Sequence, residues 1–94
     1  MTTTIDNDLL ARQELMDELH HLLQERGMNV RLRRHPSGIP KLKVRSGTWT
    51  ETVQCAGAEG VYAFVTAHGR LLGSGDELRT VADIVQFMAT RRQR

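Results

Sequence analysis

Residues 31 to 45 read "RLRRHPSGIPKLKVR", six cations in fifteen residues. Arg31 and Arg33 alternate with Leu32, and Lys41, Lys43 and Arg45 alternate with Leu42 and Val44. Such alternation is that of half-buried strands, one face apolar and the other charged. The intervening "PSG" supplies turn chemistry, because Pro fixes φ and Gly accepts φ > 0. Folded as an antiparallel hairpin, the register that sets Leu32 opposite Leu42 and Val30 opposite Val44 also sets Arg33 opposite Lys41 and Arg31 opposite Lys43. A one-residue slip would instead place apolar residues against charged ones. Like charges directly opposite one another destabilise a sheet, and an anion held among them reverses that cost. The chemistry expected here is therefore recognition of anions: nucleic-acid phosphates or the carboxylates of an acidic protein. Tyr62 and Phe64 are expected on the same face as Thr50 and Thr52, where they would offer stacking platforms beside the charges. Two plainer readings stand beside this one. The cations could decorate an edge hairpin against aggregation, or they could pair with an acidic first helix, within the chain or across a dimer.

Other residue patterns are weaker. "GRLLGSGDELRT" places Gly69, Gly73 and Gly75 before a helix. It has neither the Lys-Ser/Thr of a P-loop nor the spacing of a dinucleotide fingerprint. Asp76 and Glu77 in the first turn complement the helix dipole and would repel a phosphate. His20 and His21 are adjacent, so on a helix they point about 100° apart and make a poor metal pair; His35 and His68 fall in turns. No metal centre or cofactor is expected. Cys55 could act as a nucleophile with His68 as base, but it lies on the apolar phase of its segment, where a lone cysteine behaves as a small core residue. Glu51 shares a strand face with Trp49 and Val53, either at a sheet edge or as partner to an arginine.

The elements that position these residues fit one domain spanning residues 1–94, with 1–6 and 91–94 expected to be flexible. A hydrophobic fraction of 39% and a charged fraction of 26% suit a globular rather than a disordered chain. The apolar runs are too short to span a bilayer. The opening "MTTTIDNDLL" lacks the basic segment and apolar block of a signal peptide. A single cysteine cannot form an internal disulfide, which together with the rest predicts a cytoplasmic location. The net charge of +2 is unevenly spread. Residues 1–27 hold six acids against two arginines, −4, whereas residues 28–57 hold six cations against Glu51, +5. Such asymmetry suits an anionic partner or self-complementarity.

Periodicity predicts a helix over residues 7–26, with Leu9, Leu15, Met16, Leu19, Leu22 and Leu23 on one broad face. Asp6 is placed as its N-cap, Ile5 and Leu10 as a hydrophobic staple, and Gly27 as its stop. Strands follow at "VRLRRH", "PKLKVR", "WTETVQC" and "VYAFVT", and "AHGR" turns into a short strand at Leu71 and Leu72. In the third strand Trp49, Val53 and Cys55 face one way and Thr50, Thr52 and Gln54 the other. A second helix over 75–90, with Ser74 and Glu77 as a capping box, buries Leu78, Val81, Ile84, Val85 and Met88. This order predicts an α+β, two-layer fold: an antiparallel four- to five-stranded meander with both helices on one sheet face.

The helix–strands–helix order resembles the double-stranded RNA-binding domain, but that family starts its last helix with lysines, where "GDELRT" is acidic. The chain is more similar to short actinobacterial helix–β-meander–helix proteins. The likeness lies in a Leu-rich helix with an "ERG" stop ("LLQERGMNV"), a "SGIPKLKV" hairpin, a Cys-bearing strand, an aromatic strand and a "VADIV" final helix. It implies the element order and brings no catalytic residues.

The function expected from the sequence is a non-enzymatic binding or regulatory module. Through Arg31, Arg33, Lys41, Lys43, Arg45, Tyr62 and Phe64 it would recognise an acidic protein surface or, as a homodimer, its own second copy. The alternative is a nucleic-acid-binding protein using the same hairpin and the Arg91, Arg92, Arg94 tail. No membrane contact is expected.

Overall fold

The computed structural model describes residues 4–34 and 38–92. The elements are α1 (Thr4–Glu25), β1 (Asn29–Arg34), β2 (Pro40–Ser46), β3 (Trp49–Ala58), β4 (Val61–Thr66), β5 (Leu71–Ser74) and α2 (Leu78–Arg92). The strands form one antiparallel sheet in the order β1-β2-β3-β4-β5, a simple meander with short connections. Both helices pack on the sheet, giving the expected two-layer α+β architecture. His35, Pro36, Ser37 and Arg94 lie outside the described residues.

The core forms between the helices and one sheet face. Met16, Leu19 and Leu23 of α1 meet Leu42, Val44, Val53, Phe64 and Leu72 of the sheet, with Val81, Ala82 and Val85 of α2. Leu15 and Leu22 are partly buried beside them. Burying a side chain of this size contributes about 1.5–3 kcal/mol, which is why the apolar stripes decide where the helices lie.

The helix boundaries differ from the periodicity. α1 begins at Thr4, so the backbone of Asp6 lies inside its first turn, and Leu10 is 54% exposed; the side chains of Ile5 and Asp6, on which the expected staple and cap rest, lie outside the described residues. The C-terminal stop is as expected. The Met28 N–H donates to the Leu23 carbonyl (3.1 Å) and the Gly27 N–H to that of Gln24 (2.9 Å), the two bonds of a Schellman cap. α2 starts three residues later than its pattern suggests, because the Gly75 N–H is still held by the Tyr62 carbonyl (2.8 Å). The first α2 bond runs from the Val81 N–H to the Glu77 carbonyl (2.9 Å). Ser74 therefore closes β5, and its Oγ accepts the Asp76 N–H (3.3 Å) in a local turn, not in a capping box. At the other end α2 continues through Arg91 and Arg92, two of the residues expected to be flexible.

The β3–β4 hairpin is fixed by backbone sterics. Glu59 (φ 53°) and Gly60 (φ 84°) link Ala58 to Val61, as a two-residue type I′ turn requires. Just before it, Gly57 sits at φ 117°. A Cβ there would lie 2.0 Å from the Val61 carbonyl oxygen and 2.9 Å from the Tyr62 Cα, so this position admits only glycine.

Candidate anion-binding face

The hairpin register follows the apolar pairing. Val30 is opposite Val44 and Leu32 opposite Leu42, and in consequence Arg31 is opposite Lys43 and Arg33 opposite Lys41. Asn29 is opposite Arg45. Since Val30, Leu42 and Val44 are buried under the helices, the alternating cations project from the other, uncovered face of the sheet. Arg31, Arg33, Lys41 and Arg45 are exposed, and Lys43 is half-buried between β1 and β3. Strands lie about 4.8 Å apart and alternate residues along a strand about 6.8 Å apart. Five cations thus occupy a patch two strands wide and three residues deep.

Nothing inside the described molecule neutralises this patch. The ion pairs among the described residues are His21–Glu25 (3.0 Å), Arg26–Asp83 (2.5 Å) and His68–Glu51 (3.5 Å), and none includes a hairpin cation. α1 packs on the covered side of the sheet, and no ion pair among the described residues joins its acids to the hairpin cations. The exposed Glu14, Asp17, Glu18 and Glu25 of α1 and the cations of β1–β2 form opposite outer surfaces.

Between β1 and β2 the cations surround a hollow of about 110 Å³, lined by Asn29, Arg31, Arg33, Lys43 and Arg45. Lys41 stands outside it. Asn29 was not among the residues singled out by charge. Its place on the alternating phase of β1, two residues before Arg31, was the available signal.

Tyr62 and Phe64 do not join the cations, which corrects the sequence expectation. Phe64 is opposite Cys55 in the β3–β4 register, fully buried in the core. Tyr62 is opposite Gly57, and its hydroxyl donates to Asp8 Oδ1 of α1 at 2.5 Å. The phase of β4 was obscured by Thr66, a polar residue that is nonetheless buried, its Oγ1 accepting the Arg70 N–H (3.1 Å). The residues that do share the open face with Thr50, Thr52 and Gln54 are Ala56, Val61, Ala63 and Val65, and Leu71 opposite Val65. Val61 is 77% and Leu71 67% exposed. The open face is thus cationic on β1–β2, polar along the middle of β3 and apolar across β4–β5.

Asp8 does more than hold Tyr62. Its Oδ1 also accepts the Glu59 N–H (2.8 Å), tying α1 to the β3–β4 turn. The Tyr62 hydroxyl first, then the Glu59 amide, hold the Asp8 carboxyl below its ordinary value, while the Asp8 bond raises the Tyr62 phenol. Arg12 Nη2 donates to the Gly57 carbonyl, and its Nε is buried without a hydrogen-bond partner.

The remaining candidates are placed as follows. Cys55 is buried, and burial pushes its thiol up, opposed in part by Arg12. A thiol in that state is a poor nucleophile at neutral pH. Glu51 lies in the central strand, not at an edge, and its partners are the Thr52 N–H (3.0 Å) and His68 rather than an arginine. Arg91 stacks over Phe87, 5.4 Å from the ring centroid. No group of three or more His, Cys, Asp or Glu side chains among the described residues could hold a metal ion. No helix among them is long and apolar enough to cross a membrane. Compared with protein-family models, with curated proteins and with solved structures, the chain matches none.

Proposed function

We propose that this protein is a non-enzymatic binding module whose open sheet face recognises an acidic surface of a partner protein. The observation that carries the reading is the set Arg31, Arg33, Lys41, Lys43 and Arg45 on one uncovered face, without an ion-pair partner among the described residues. Their mutual repulsion costs a few tenths of a kcal/mol per facing pair, and an acidic partner converts it into attraction and a faster encounter.

The apolar half of the same face supports a protein partner over a nucleic acid. Val61, Val65 and Leu71 offer contact area suited to the apolar centre of a protein interface. A polyanionic backbone gains nothing from them, and with Tyr62 and Phe64 turned inward neither offers its ring on this face for a base to stack on. A twofold dimer centred on the cationic half of this face would set cation against cation, which favours a different, acidic protein as the partner of that half.

The test is an NMR titration with a 20-residue polyglutamate and, separately, a 20-base-pair DNA duplex at 150 mM salt. Polyglutamate shifting the amides of residues 31–33 and 41–45 supports the reading. Tighter binding of the duplex, weakening with a log–log salt slope of about −0.9 per neutralised phosphate, overturns it in favour of nucleic-acid binding.

A further inference from the structure

The hollow between β1 and β2 has a more specific chemistry than its charge alone. Three arginines, Arg31, Arg33 and Arg45, line it with Lys43 and the amide-bearing Asn29. Each guanidinium offers five N–H donors in a planar fork, the ammonium three and the carboxamide two. A carboxylate has two oxygens with about four acceptor sites, enough to touch both strands, but its single charge offsets only one of the four lining cations. A phosphate monoester presents three terminal oxygens and close to two charges at neutral pH, and arginine forks engage such oxygens pairwise. The space, about 110 Å³, suits one small group; drug-sized ligands occupy about 300–1,000 Å³.

We infer that this hollow receives the phosphate of a phosphorylated serine or threonine on the acidic partner. The inference rests on the protein-partner reading above and adds to it the chemical group at the centre of contact. The apolar β4–β5 half of the face places the phosphate on a protein rather than free in solution or on a nucleic acid. In the bound state the dianion bridges Arg31 of β1 and its facing Lys43 of β2, with Arg33 and Arg45 closing the two ends. Lys41, outside the hollow, contributes only general attraction for the acidic surroundings.

The experiment measures binding of three nine-residue acidic peptides that differ only at the central position: phosphoserine, aspartate or serine. Inorganic phosphate and the DNA duplex are run alongside. The expected result is at least tenfold tighter binding of the phosphoserine peptide than of the aspartate peptide. That ratio should fall to about one in Arg31→Gln and in Arg45→Gln. Lys41→Gln should weaken both peptides alike and leave the ratio unchanged. The exposed positions of Arg31 and Arg45 leave the fold intact, which thermal melting of the variants verifies. Three peptides binding equally well would overturn the phosphate site while leaving the acidic-surface reading standing. No binding of any peptide would overturn both. Inorganic phosphate binding as tightly as the phosphopeptide would assign the hollow to a free anion and overturn the partner source, and tighter binding of the duplex would overturn the protein partner.

Discussion

Arg33 lies directly opposite Lys41 on the sheet face turned away from both helices. The facing pair is a consequence of core formation. Leu32 and Leu42 must meet on the covered side, and the next residue along each strand then meets on the other. The pair is therefore unfavourable by itself, and the isolated fold does not depend on it. Arg33→Ser combined with Lys41→Ser should leave the melting temperature unchanged or raise it by a few °C at low salt, with the gain shrinking as salt screens the charges. Thermal unfolding at two ionic strengths measures this. A fall in the midpoint of several °C would mean that the cations are structural.

The contact of Asp8 with Tyr62 and Glu59 makes stability depend on pH at both ends. The folded Asp8 value lies below its ordinary 3.8, so the unfolded chain takes up the proton first. This contribution is present above about pH 4 and is lost as pH falls through the folded value. The Tyr62 value lies above its ordinary 10.0, so its contribution is full below pH 10 and is lost as pH rises beyond it. Asp8→Asn keeps an acceptor for the hydroxyl. Its midpoint should fall less steeply than the wild type's between pH 4 and pH 2, as followed by circular dichroism.

Gly57→Ala should be among the most damaging single changes available outside the core. The added Cβ would meet the Val61 carbonyl at 2.0 Å, and backbone cannot step aside as a flexible side chain can. The β3–β4 hairpin would have to open, costing on the order of 2–4 kcal/mol. Urea unfolding reads that loss directly, and a change below about 0.5 kcal/mol would refute the close approach.

Cys55 should react with a thiol reagent only as fast as the domain opens. It is buried beneath the helices opposite Phe64, and its raised pKa keeps it protonated at neutral pH. Labelling should accelerate in step with denaturant-induced unfolding. Rapid labelling of the folded protein would contradict its placement.

What could be read from the sequence was whatever depended on alternation and periodicity. The Leu32–Leu42 register, the apolar stripe of α1 and the Gly27 stop all follow from local pattern. Tyr62 and Phe64 were misplaced because β4 carries apolar side chains on both phases: Val61, Ala63 and Val65 on one, Tyr62 and Phe64 on the other. With both phases largely apolar and the one polar residue, Thr66, on the buried phase, alternation alone cannot orient the strand, and the deciding contact, Asp8 with Tyr62, spans 54 positions of sequence. The late start of α2 likewise rests on a tertiary bond, from Gly75 to Tyr62. The hollow beside Asn29 needed both strands in place before it existed.

Polyglutamate titration with and without Arg33→Ser and Lys41→Ser decides whether the cationic face binds an acidic protein surface. Expected are amide shifts confined to residues 31–33 and 41–45, at least a fivefold loss of affinity in the double variant, and an unchanged fold. Binding that is undiminished in the double variant, or that maps to the helices instead, would contradict that role for the face.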